Sequence, residues 1–335
     1  MAPPELPPDL PPATSPTAEP AAAPEPEPAP GAIGRLVRAL RGLPPAVPWR
    51  GPGCGGHAGW FREQSAPTTD GTPRFQELYS RVRHGEAVLP AEAPRHLYLM
   101  VKGLLGDEMF GYLEDNQRQL ERRGLEAREV QVNTEGSLED NVEVVRRALE
   151  DAAFFGRSVV LVGHSKGAVE SLAALTLYPE LARTVRAVVS MQAPYGGSPV
   201  AHDLTDTPEL RRMLSVMFPL LFYGVSRSVE DLSYPQRREF VQRHPYVPVV
   251  PTVALATSRY SRRSLLWPVA RYMFERYKLP SDGLVARVDA EVPGSRVVRL
   301  EDMDHAEGAL VGLPGFANHH PGNVTEALVA LALES

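Results

Sequence analysis

The sequence predicts an α/β fold with a mostly parallel central sheet flanked by helices, and three observations predict it. Mostly apolar runs of strand length at 96–101, 158–162 and 185–191 lack polar alternation, the pattern of strands covered on both faces. Stretches with apolar residues at helical spacing lie between these runs. At one junction, Gly163-His164-Ser165-Lys166-Gly167, a strand runs straight into a helix through a serine flanked by glycines. Strands alternating with helices favour a parallel sheet with right-handed crossovers.

Twelve of the first thirty residues are proline, and that stretch has acidic but no basic residues. It cannot bury enough apolar surface to fold, so residues 1–43 are expected as a disordered tail. The tail ends in a short basic amphipathic segment, 33–43, suited to docking on the domain or on an anionic membrane. Residues 44–94 form an irregular lead-in with one helix near Phe75 to Val82. The folded α/β domain is expected at 95–335 and opens with the strand 96–101. Phe110, Leu113 and Leu120 recur at helical spacing until Gly124, and Glu129 to Val132 is the next short strand. Ser137 caps the following helix, with Asp140 completing the capping signature.

The strand into Ser165 and its helix come next, then the strand 185–191. Residues 200–246 interrupt the pattern with helical stretches and form a cap or lid insertion. Strands resume at 251–257 and 295–300, and Asn323 is expected to cap a final helix.

Composition narrows the function classes. The net charge of -6 in 335 residues is modest and mixed in sign, which argues against nucleic-acid binding. The one cysteine, Cys54, excludes an internal disulfide, and no ligand cluster suggests a metal or cofactor. Neither a secretory signal nor a membrane-spanning run is visible, so a cytoplasmic or peripheral protein is expected.

A serine hydroxyl attacks a carbonyl only when a base removes its proton, and a histidine base needs a carboxylate to fix its tautomer. Ser165 is the candidate nucleophile. His305, in Asp302-Met303-Asp304-His305 just after the last strand, is the candidate base, because strand C-termini carry the site in open α/β sheets. Asp282, Asp302 and Asp304 are candidate acids. Asp282, in Ser281-Asp282-Gly283, is preferred, because Asp304 adjoins the histidine and its side chain is expected to bracket the loop. Backbone N–H groups of Leu104 and Lys166 are the candidate oxyanion donors. Lys166, a cation at a helix N-terminus, is expected to form a solvated pair with Glu170.

In order, Val101-Lys102-Gly103-Leu104-Leu105-Gly106, Gly163-His164-Ser165-Lys166-Gly167, Ala193-Pro194-Tyr195-Gly196-Gly197-Ser198-Pro199, Ser281-Asp282-Gly283-Leu284-Val285 and Asp304-His305 resemble the motifs of bacterial triacylglycerol lipases of the α/β-hydrolase fold. The resemblance covers roughly residues 95–335. It implies Ser165, Asp282 and His305 as triad and the Leu104 and Lys166 amides as oxyanion hole. Many such lipases have His-Gly where this chain has Lys102-Gly103.

The expected activity is that of a serine ester hydrolase, lipase- or esterase-like, cleaving esters with apolar acyl chains through an acyl-enzyme. The partner is then a small-molecule or lipid ester, with possible contact to a lipid interface. An acyltransferase sharing the acyl-enzyme and a catalytically inactive binding module are the alternatives. In the insertion, Met213, Met217 and Leu221 share one helical face and are the candidate substrate contacts, under a moving lid or a fixed cap.

Overall fold

The computed structural model describes residues 58–206, 226–264, 266–312 and 317–334. The tail, the basic segment 33–43, Cys54 and the candidate substrate contacts Met213, Met217 and Leu221 lie outside the described residues.

The strands are β1 (Thr69–Asp70), β2 (His96–Val101), β3 (Glu126–Glu129), β4 (Ser158–His164), β5 (Val185–Met191), β6 (Thr252–Thr257) and β7 (Arg296–Leu300). They form one sheet in the order β1-β7-β6-β5-β4-β2-β3, and every pairing is parallel. The α-helices among the described residues are α1 (Thr72–Arg83), α2 (Glu114–Arg122), α3 (Leu138–Phe154), α4 (Lys166–Leu177), α5 (Pro199–Asp206), α6 (Ser226–Glu230), α7 (Tyr234–Arg243), α8 (Trp267–Tyr277) and α9 (Pro321–Leu333), with short 3-10 turns besides.

Side chains of alternate strand residues point to opposite faces, which explains why the strands read as unbroken apolar runs. Leu97, Leu99, Val101, Val159 and Leu161 pack with Val142, Val145, Leu149 and Leu172 of α3 and α4. On the other face Tyr98, Met100, Val160 and Val162 pack with Phe75, Leu78, Leu120 and Leu328 of α1, α2 and α9. Among the described residues no helix is long and apolar enough to cross a membrane.

The expected strands at 96–101 and 185–191 have those bounds, and Ser137 accepts the Asp140 N–H as a helix cap. Three expectations need correction. The strand placed at Glu129 to Val132 is β3, three residues earlier; it is an edge strand paired only with β2, where charged side chains such as Glu126 and Arg128 reach solvent or partners. Phe110 is outside the helix and 97% exposed, because the chain turns through Leu113 at φ 60 before α2 begins. The final helix starts at Pro321 with His320 at its N-cap, so Asn323 lies inside the first turn; proline takes the first helical position, where its missing N–H goes unused.

The lead-in is tied to the sheet more closely than its composition suggests. It contributes the two-residue edge strand β1 beside β7. Phe61 meets the Tyr195 ring edge-on at 5.1 Å, and Trp60 Nε1–H donates to the Gly196 carbonyl at 2.7 Å. Asp289 closes this attachment: its carboxylate accepts the Gly59 N–H at 2.7 Å and the Tyr234 hydroxyl at 2.8 Å. Burial pushes the Asp289 carboxyl up to about 7. The folded chain therefore holds this proton to higher pH than the unfolded chain, and stability falls as pH rises from about 4 to 7. Asp289→Asn keeps the shape without the charge. The difference in unfolding free energy between pH 5 and pH 8 should shrink by roughly 3 kcal/mol, read by urea titration at both pH values.

Candidate active site

Because all strands run the same way, the segments following β2, β4, β5, β6 and β7 leave one edge of the sheet. Ser165 stands at the N-terminus of α4 with φ 55 and ψ -124, a backbone conformation that L residues seldom adopt. Its N–H donates to the Met191 carbonyl at 2.8 Å, which fastens the turn to β5. The flanking glycines are required by contact: a Cβ on Gly167 would lie 2.3 Å from the carbonyl oxygens of Val101 and Lys102, and one on Gly163 would lie 2.5 Å from Ala168 Cα. Gly103 completes the close approach, since a Cβ there would meet Ser165 Cβ at 2.8 Å and the Tyr112 hydroxyl at 2.5 Å.

Asp282 and His305 come together from the segments that follow β6 and β7. Asp282 Oδ1 accepts the N–H groups of Leu284 and Val285, at 3.0 and 2.8 Å. Its Oδ2 faces His305 Nδ1 at 2.8 Å, and the His305 N–H donates to the Asp282 carbonyl at 3.0 Å. With Nδ1 protonated toward the carboxylate, Nε2 keeps the lone pair of a base. Asp302 pairs instead with His319 at 2.9 Å. Asp304 accepts the N–H groups of Ala306 and Glu307 and brackets its own loop as expected. Among the described residues no hydrogen bond joins Ser165 Oγ to His305, whose ring is held by Asp282. Catalytic hydrogen bonds of this type are often long in free enzymes and tighten with substrate.

The backbone N–H groups of Leu104 and Lys166 donate to no acceptor among the described residues. The Lys102 side chain supports the loop that carries Leu104, pairing with Glu129 at 2.9 Å and Asp107 at 3.5 Å. Asp107 in turn accepts the Thr134 hydroxyl at 3.1 Å.

His164, Gln192 and Tyr112 form a buried frame that the sequence reading left without a role. The Tyr112 hydroxyl lies 2.6 Å from His164 Nδ1. His164 Nε2 faces the Gln192 side-chain oxygen at 3.0 Å and the His305 carbonyl at 3.2 Å. Both Nε2 partners are acceptors, so Nε2 carries the proton and Nδ1 accepts from tyrosine. Burial, and then the nearby His305, hold His164 down to about 3, so its ring stays neutral. Gln192, at φ 51, donates to Thr257 Oγ1 at 2.6 Å and the Asp304 carbonyl at 2.9 Å. The frame thus links the residue before the serine to the loop of the histidine. His164 was visible only as the variable residue of the serine motif; the positive φ of Gln192 has no sequence signature.

Lys166 corrects another expectation. Its ammonium is fully buried with Glu170 at 2.5 Å, and Glu170 also accepts from Asn141 at 2.7 Å. The pair is not solvated because α4 is enclosed on every side between the sheet and α3. Burial raises the Glu170 carboxyl above its ordinary range, against the pull of Lys166. Among the described residues no group of three or more His, Cys, Asp and Glu is arranged to hold a metal ion.

The sheet order, the strained serine turn and the loops at one sheet edge define the α/β-hydrolase fold. Solved structures similar to this chain are carboxyl esterases and lipases. A metagenomic carboxyl esterase superposes with a TM-score of 0.65 at 22% identity, over 89% of this chain and 98% of that one. The mature lipase BlEst2 of Bacillus licheniformis gives 0.52 at 23% identity, over 64% and 86%. Lipase 1 of Pelosinus fermentans gives 0.51 at 12% identity, over 70% and 98%. No protein-family model matches the chain, and no curated protein sequence matches it.

Removing one member of a buried ion pair costs about 3–5 kcal/mol, because the other charge is left unpaired. Lys166→Met should therefore destabilise by about that amount in urea unfolding. Lys166→Met combined with Glu170→Leu should recover most of the loss.

Proposed function

We propose that this chain is a serine carboxylic ester hydrolase, lipase- or esterase-like, acting through an acyl-enzyme on Ser165. The observation that carries the reading is the Asp282–His305 contact of 2.8 Å at the same sheet edge as a serine in a strained turn. The similarity of fold to carboxyl esterases and lipases supports it. In this reading His305 Nε2 takes the Ser165 proton as the hydroxyl attacks the ester carbonyl, and Asp282 stabilises the resulting imidazolium. The Leu104 and Lys166 N–H groups receive the oxyanion. Collapse of the tetrahedral intermediate breaks the C–O bond, and the imidazolium returns its proton to the leaving alcohol. Water then repeats the sequence on the acyl-enzyme and releases the acid. The neutral His164 adds no second positive charge beside the imidazolium. Met213, Met217 and Leu221 are assigned to the acyl chain on the spacing of the sequence alone.

Hydrolysis of p-nitrophenyl esters of graded chain length tests the reading. Ser165→Ala should lower kcat by about 10⁴-fold or more, and Asp282→Asn, which leaves the wrong tautomer on His305, by about 10⁴-fold. Equal rates for wild type and Ser165→Ala would remove the proposal. Leu221→Ser should shift the preferred chain length while leaving the melting temperature unchanged.

A further inference from the structure

A buried guanidinium lies between the two segments that carry Asp282 and His305. Arg259 follows β6, and its backbone N–H donates to the carbonyl of Ser281, the residue before Asp282, at 2.9 Å. Its Nη1 is paired with Glu307 and lies 3.9 Å from Asp304 Oδ2. Those two carboxylates flank His305, one residue before it and two after. All three side chains are buried.

Both carboxylates are themselves anchored. Glu307 Oε2 accepts the N–H groups of Asn318 and His319, at 2.9 and 3.0 Å. Asp304 Oδ2 accepts the Ser264 hydroxyl at 2.7 Å, and its Oδ1 accepts the N–H groups of Ala306 and Glu307 at 3.0 and 3.2 Å. One residue thus bonds the acid loop through its backbone and the base loop through its guanidinium.

A buried ion cluster is weak evidence of stabilisation, since well-packed apolar side chains of similar volume often serve as well or better. Arg259 reaches both carboxylates through Nη1, and its Nε has no hydrogen-bond partner among the described residues; what the guanidinium adds is a rigid planar group at a fixed place between them. The Asp282–His305 contact joins segments from two different strands, so its geometry depends on the separation of their loops. We propose that Arg259 is a positioning residue for this site, holding the Asp282 and His305 loops in register so that His305 faces Ser165. The inference rests on the reading of the site as a serine hydrolase.

The test uses the full chain with three variants, Arg259→Met, Arg259→Met with Glu307→Gln, and Arg259→Lys. The rate of Ser165 labelling by a fluorophosphonate, kcat and KM on a short p-nitrophenyl ester, and melting temperature are read for each. Arg259→Met should lose both stability and kcat, because it strands buried carboxylates. The double variant removes charge on both sides and should recover the melting temperature. Its kcat and labelling rate should stay about 10- to 100-fold below wild type, with KM within about twofold, since a displacement of about 1 Å is worth up to about 10²-fold in rate. Arg259→Lys keeps a charge on a shorter, flexible stem without the rigid planar group and should fold normally with kcat lowered about tenfold.

A double variant that regains wild-type kcat together with its melting temperature overturns the inference, as a purely structural cluster would behave so. Should the double variant fail to fold, Arg259→Lys decides: wild-type kcat there overturns the inference, and a tenfold loss at unchanged melting temperature supports it. A wild type that neither labels nor hydrolyses overturns the serine-hydrolase reading itself, and the positioning role with it.

Discussion

The backbone of Ser165 is the constraint on which the rest of the site depends. A non-glycine residue at φ 55 and ψ -124 persists only when its surroundings over-determine it. Here they do so from three strands. The Met191 carbonyl at the end of β5 holds the Ser165 N–H, the carbonyls after β2 leave no space for a Cβ on Gly167, and the turn from β4 into α4 leaves none on Gly163. The strain is opposed by two apolar layers packed on the sheet. A parallel sheet buried on both faces supplies rigidity where the serine must not relax.

Around this turn the chain places polar and charged groups deep in the interior, and most of their hydrogen bonds cross from one element to another. Tyr112, His164 and Gln192 connect the segments after β2, β4 and β5 to the His305 loop. Arg259 connects the segments after β6 and β7. Lys166 and Glu170 stiffen the first turn of α4 from within. In a low-dielectric interior such networks are strong when complete and costly when broken, so they specify one arrangement where apolar packing alone tolerates several. These groups sit beside Ser165, His305 and Asp282, and the apolar layers pack on the two faces of the sheet.

Much of this was legible in the sequence for a physical reason. Buried parallel strands must be apolar throughout, so the strands at 96–101 and 185–191 announce themselves, and the glycine-flanked serine marks the tightest turn. Asp282 and His305 followed from chain order and from their place after strands, and the structure brings them to 2.8 Å. What stayed hidden was set by tertiary contact. The edge strand β1 is two exposed polar residues with no periodicity. The Lys166–Glu170 pair has the spacing of an ordinary solvated helix pair, and only the enclosure of α4 makes it an interior charge. Arg259 stands 46 residues before His305 in the sequence, and nothing local distinguishes it from the surface arginines that follow at Arg262 and Arg263.

The protonation states of the buried groups follow one logic. Burial penalises charge, so His164 is pushed to the neutral side from above while Asp289 and Glu170 are pushed to it from below. His164 tolerates this because its neutral ring can donate from Nε2 and accept at Nδ1, which are the two roles its neighbours require. At Asp289 the Gly59 N–H and the Tyr234 hydroxyl favour the carboxylate but do not offset its burial, which leaves the lead-in attachment the more pH-sensitive of the two. The frame behind Ser165 is therefore built from a group whose preferred state is indifferent to pH near neutrality, and the tether of the N-terminal segment from one that is not. Two buried acids therefore lower stability as pH rises toward neutrality, Asp289 at the tether and Glu170 in the first turn of α4, while His164 keeps one state throughout.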